Sequence, residues 1–179
     1  MENDTLEKLK YPIGRFQAPS TYTSELRDIL IKTITDFPIL LRSEIEQLPA
    51  ELWGQTYRPG GWNLRQVVHH VADSHLNAYV RFKWALTEDS PVIKDYDEDL
   101  WVKTPEIDNT PPTVSVDLLE MVHLRWSYIF RDLGETDWQR IFIHPETKRE
   151  YSLNMTLALY AWHGEHHLNH IRIVKRQDS

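Results

Sequence analysis

Four histidines fall in one short run near the C-terminus, Trp162-His163-Gly164-Glu165-His166-His167-Leu168-Asn169-His170. The flanking sequence reads as a helix over 153–175, and at about 100° per residue the four imidazoles lie within an arc of roughly 100°. Leu159, Tyr160, Ile171 and Val174 share that side, so the arc faces a core. Burying four imidazoles leaves many polar nitrogens in need of partners. A chain carrying this run must therefore bring partners to the helix, and a bound cation is the simplest one. Two i,i+4 pairs are available, His163 with His167 and His166 with His170, and either stacks on one face to chelate. The angles do not choose between them.

A second cluster, His69-His70, lies in another helical stretch. The turn Pro59-Gly60-Gly61 precedes it, and Asn63 with Gln66 forms a capping box for a helix running to about Leu86. Its apolar stripe is Leu64, Val67, Val71, His75, Ala78, Phe82 and Ala85. Measured from Val71, His70 falls roughly 100° to one side, at the edge of the core, while His69 falls about 160° away. That predicts a solvent-facing His69 in contact with Asp73, and His70 as the better ligand. His75 on the stripe and His123 further on read as packing residues, and His144-Pro145 as an exposed turn.

The rest of the chain organises around these two helices. Residues 1–20 read as extended or irregular. A helix over 21–47 carries Leu26, Ile29, Leu30, Ile34, Phe37 and Leu41 at helical spacing, with Pro38 set to kink or break it. Residues 88–112 form a long acidic loop through Asp95-Tyr96-Asp97-Glu98-Asp99, of a length that is often functional. From it a carboxylate could reach a site, with Tyr96 and Trp101 over its mouth. A third helix begins near Ser115 and ends near Leu133, with Gly134 as its C-terminal signal. Ile141-Phe142-Ile143 and Glu150-Tyr151 suggest a short β-hairpin before the last helix. Four amphipathic helices and no linker predict one all-α domain over 1–179, an antiparallel four-helix bundle.

Composition narrows the chemistry. The net charge of −7 gives no footprint for nucleic acid. The absence of cysteine removes thiolate nucleophiles, iron–sulfur ligation and cysteine zinc sites. No apolar run approaches the roughly 20 residues of a membrane helix, and Met1-Glu2-Asn3-Asp4 lacks the apolar core of a signal peptide. A cytoplasmic protein is expected. Imidazole suits zinc, nickel, copper and iron, and three histidines with an open position form a catalytic pattern. Such a metal can activate water at neutral pH or hold the thiolate of an external small thiol. Gly164 after His163 excludes the zincin motif. Glu165 points away from the arc and makes a poor general base.

Gly60-Gly61-Trp62-Asn63-Leu64-Arg65-Gln66-Val67-Val68-His69-His70-Val71-Ala72-Asp73-Ser74-His75 resembles the signature helix of the DinB superfamily, and more narrowly its YfiT-like group of metal-dependent hydrolases. The likeness extends to Tyr11-Pro12-Ile13-Gly14, Tyr96-Asp97-Glu98, Arg125-Trp126, His144-Pro145-Glu146-Thr147-Lys148 and the histidine run. It implies an up-down-down-up four-helix bundle, commonly a homodimer, with one divalent metal held by three histidines. Carried onto this chain, those are His70, His163 and His167, with zinc or nickel as the metal and His166 and His170 in supporting roles. The implied activity is hydrolysis of a small-molecule substrate by metal-bound water. The alternatives are an S-transferase using a low-molecular-weight thiol of the bacillithiol type, as other branches of the superfamily do, and a non-catalytic metal-binding protein.

Overall fold

A computed structural model describes residues 2–177; Met1, Asp178 and Ser179 of the expected domain lie outside the described residues. In chain order the elements are α1 (Glu2–Lys10), α2 (Ser24–Ile45), a 3₁₀ turn (Ala50–Gly54), α3 (Leu64–Thr87), α4 (Glu98–Trp101), α5 (Pro105–Asn109), α6 (Pro112–Asp132), α7 (Glu135–Trp138), β1 (Ile141–Ile143), β2 (Glu150–Ser152) and α8 (Leu153–Gln177). The long helices α2, α3, α6 and α8 make the bundle.

Local chemistry sets the helix starts. Thr23 caps α2 by accepting from the Leu26 amide. Asn63 and Gln66 form the capping box of α3, at 2.9 and 3.0 Å. Gln66 then donates to the Val102 carbonyl, which pins the acidic segment to α3. Pro112 opens α6, where a missing N–H costs nothing. Ser152 accepts from the Met155 amide at the start of α8.

Side-chain pairings fix the directions. Arg27, Phe37 and Glu44 of α2 meet Asn154, Gly164 and Arg172 of α8 in that order, so these two helices are parallel. Ile34 and Arg42 of α2 meet His123 and Glu120 of α6, an antiparallel pair. His69, His75 and Phe82 of α3 meet Ser115, His123 and Phe130 of α6 in parallel. His75 of α3 meets Tyr160 of α8 while His70 meets His167, again antiparallel. The order is up-down-down-up. Each bundle helix thus has one parallel and one antiparallel neighbour, and the consecutive helices α2 and α3 do not pack side by side as they would in a simple meander.

Two apolar clusters fill the bundle. Phe82, Trp126, Phe130, Trp138 and Leu157 fill one end, and Phe37, Leu41, Leu64, Val67, Leu168 and Ile171 the other. The hairpin pairs Ile141 with Ser152, Phe142 with Tyr151 and Ile143 with Glu150, in the expected place. No helix among the described residues is long and apolar enough to cross a membrane.

Several expectations need correction. Part of residues 1–20 is helical: α1 has only Leu6 and Leu9 as large apolar residues, too few for a periodic signal, and its end docks on α8 through Lys10 and Tyr11. Pro38 does not break α2, which runs through it. The acidic loop carries α4 and α5, each shorter than two turns and invisible to periodicity. Gly134 has φ −83° and caps α7 rather than closing α6 in a left-handed turn.

Candidate metal centre

The histidines sit between the two apolar clusters, where α3 and α8 face each other. His70 and His167 are buried, and their ligand nitrogens lie with that of part-buried His163 within 4.8 Å of one another. His70 Nε2 stands 3.3 Å from His163 Nε2. Two nitrogens bound to one tetrahedral zinc at about 2.0–2.1 Å would stand about 3.3–3.4 Å apart, so the spacing fits a divalent ion. Burial, and then the charge of His166, push His70 down to about 4. Burial and neighbouring imidazoles hold His163 and His167 well below the ordinary histidine value. At neutral pH all three rings are therefore neutral, the state that ligates.

Aromatic residues wall the cluster. Trp62, just before the α3 cap, lies 4.5 Å from the His70 ring and donates from Nε1 to Asp99. Tyr57 stacks on His170 at 3.8 Å. The turn between them needs its glycines: Gly60 has φ +67°, and a Cβ on Gly61 would stand 3.1 Å from the Tyr57 ring. On the open side the three rings line a cavity of about 660 Å³, shared with Arg58, Arg81, Asp95, Tyr96 and His144.

The two candidate pairs on α8 separate in space. His163 and His167 face His70, whereas His166 and His170 lie on the flank toward α1: Tyr11 packs on His166 and the Lys10 carbonyl meets His170. His166, His167 and His170 also bring ligand atoms within 4.8 Å of one another. A third group, Asp95, His144 and Glu146, lies at the cavity rim, with Arg81 3.9 Å from Asp95.

His69 is not on the surface. It is buried and lies 2.7 Å from Ser115 Oγ, because the N-terminal end of α6 covers the face that angle counting left bare. His144 is likewise half-buried, with Nε2 3.3 Å from Asp95. Of the expected cover residues, Tyr96 lines the cavity, while Trp101 packs on Tyr96 and stays 40% exposed. Among residues read as packing, His75 has Nε2 3.2 Å from His163 Nδ1 and Nδ1 2.8 Å from His123 Nε2. Neither Tyr57 nor Trp62 carries a role in the sequence reading, although Trp62 lies within the stretch that resembles the signature helix; Tyr57 has no signal beyond its nearness to the glycine turn.

Comparison with known proteins agrees with this architecture. A protein of Oceanobacillus iheyensis, provisionally named a metal-dependent hydrolase, is 46% identical over 170 residues, spanning 94% of this chain and 98% of its own. YfiT of Bacillus subtilis, with the same provisional name, is 39% identical across 97% of each chain. The solved structure of YfiT, described as an unusual four-helix bundle, superposes with a TM-score of 0.93 at 38% identity, over 96% of this chain and 98% of that one. A mycothiol-dependent maleylpyruvate isomerase superposes with a TM-score of 0.64 at 15% identity, over 81% of this chain and 60% of that one, a likeness of fold alone. The sequence pattern of the DinB superfamily matches residues 38–171, which hold α3 and α6 in full, parts of α2 and α8 and most of the site, and the chain belongs to that superfamily.

Proposed function

We propose that His70, His163 and His167 hold one divalent metal, zinc or nickel, and that the protein is a hydrolase acting on a small molecule bound in the adjoining cavity. One observation carries this reading: three neutral imidazoles converge at the wall of a polar cavity large enough for a metabolite. A metal held by three histidines polarises a carbonyl and lowers the pKa of a bound water to about 7. The chain's own residues do the rest. Trp62, tethered by Asp99, shields the His70 side from solvent. Arg58 and Arg81 offer positive charge to an anionic substrate group. Asp95 and His144, 3.3 Å apart in the same cavity, are the pair able to accept a proton and return it to a leaving group.

The test starts with metal analysis of untagged protein. About one metal per chain, lost in His70→Ala and His163→Ala, is expected; no stoichiometric metal would overturn the site. Esters and amides are then assayed with and without chelator, beside a small thiol offered with an electrophile. Chelator-sensitive cleavage without thiol supports the hydrolase. Metal-dependent conjugation of the thiol would replace it with a transferase, and a bound metal with neither activity would leave a binding protein.

A further inference from the structure

Each candidate ligand on α8 has its back nitrogen against another histidine, and each of those histidines leads to a backbone carbonyl. Pro38 lacks an N–H, so the Ile34 carbonyl one turn earlier loses its regular helical donor. His123 Nδ1, from α6, lies 2.6 Å from that carbonyl. A carbonyl can only accept, so Nδ1 carries the proton. His123, His75 and His163 are packed among the rings of Phe37, Trp126 and Tyr160, and an imidazolium buried there would be costly. Each ring therefore carries one proton, and the carbonyl dictates which nitrogen has it. His123 Nε2 is a lone pair, and His75 Nδ1–H donates to it across 2.8 Å. His75 Nε2 is then a lone pair, and His163 Nδ1–H donates to it across 3.2 Å. What remains on His163 is an Nε2 lone pair, aimed at His70.

The second chain is shorter. His170 Nε2 lies 3.3 Å from the carbonyl of Lys10, the last residue of α1, and must donate. Its Nδ1 is a lone pair 3.3 Å from His167 Nδ1, which therefore carries the proton. His167 Nε2 is again left as the free lone pair. Tyr57, stacked on His170, holds that ring in plane.

We propose that His75 with His123, and His170, are positioning residues that set His163 and His167 in the Nδ1–H tautomer, so that both present Nε2 to a metal. The proposal rests on the metal assignment above for its purpose but not for its geometry. Holding the back nitrogen of a ligating imidazole removes the tautomer that cannot bind and the ring rotation that misaims the lone pair. It also gives the neighbouring trio a different role: with His167 Nδ1 donating to His170, the group of His166, His167 and His170 is a support and not a second metal site.

The tautomers are read directly, in metal-free protein labelled with ¹⁵N at histidine, by long-range ¹H–¹⁵N correlation. His163, His167, His75 and His123 are expected as Nδ1–H and His170 as Nε2–H. Nε2–H on His163 or His167 would overturn the proposal whether or not the protein binds metal. Zinc affinity is then measured by chelator competition. His75→Leu should weaken zinc about 10–100-fold and give His163 a mixed tautomer pattern. His75→Gln, whose carboxamide oxygen can accept from His163 Nδ1, should recover most of the affinity. Equal affinity and an unchanged His163 pattern in His75→Leu would refute the first chain, and equal affinity with an unchanged His167 pattern in His170→Leu the second. If His75→Leu does not fold, the wild-type spectrum and His123→Leu, one ring further out, decide the matter.

Discussion

Acidification should unfold the metal-free protein well above the ordinary carboxylate range. Eight of the nine histidines are held below the ordinary value, with burial the first cause in each. His70, His123 and His166 are pushed down to about 4 and His170 to about 3. For a group with a depressed folded pKa, stability is complete above the unfolded value near 6.5 and is lost as pH falls toward the folded value. At pH 5.5 each such histidine favours the unfolded chain by about 1.4 kcal/mol. Seven of them, leaving His69 out, give about 10 kcal/mol, or about 5 if half the penalty is relieved by local opening. A domain has about 5–15 kcal/mol in total, so the acid midpoint should fall between about pH 5 and 6, with uptake of roughly six to eight protons. Bound metal at about 1,000 times its Kd adds about 4 kcal/mol, which at that slope lowers the midpoint by about half a unit. Far-UV circular dichroism and tryptophan fluorescence across pH, with urea titrations at pH 7.0, 6.5 and 6.0 to obtain the proton slope, measure this. A midpoint below pH 4.5, or a slope of two protons or fewer, would show that these rings are not buried neutral and would sink the reasoning.

Other changes separate the site from its surroundings. His70→Ala should abolish tight metal binding, about 100-fold or more in affinity, whereas Glu165→Gln should leave it within a factor of two; equal losses would count against the ligand set. Gly164→Ala should destabilise the protein by about 1–2 kcal/mol in urea titration, because its Cβ would stand 3.0 Å from the Phe37 ring and overpacking outweighs the helix-propensity gain. Burial and then the charge of Glu106 push Asp73 up to about 6. Its ionised form therefore costs stability above that pH, and Asp73→Asn should gain about 1–2 kcal/mol at pH 8, allowing for its partial exposure; an unchanged urea midpoint would contradict this.

What could be read from sequence, and what could not, divides along one physical line. Helical angle is a property of a single helix, so it identified α3, α8 and the ring of His70 as core-facing, and the periodic stripes were enough to foresee the bundle. It cannot say what covers the opposite face, and so it put His69 in water when Ser115 and the start of α6 lie over it. It also treated His75 and His123 as independent packing residues, one per helix, because nothing local joins positions 48 apart. The joining element is a backbone event on a third helix: Pro38, expected to kink or break the helix, lies inside one continuous helix and frees one carbonyl. A donor count alone could have asked for it. Four imidazoles on one buried face hold eight nitrogens, and three ligands to one metal account for few of them. The remainder need acceptors that a helical interior does not supply, except where a proline withholds its N–H or a helix ends, and the two carbonyls that meet the histidine chains, Ile34 and Lys10, are one of each kind.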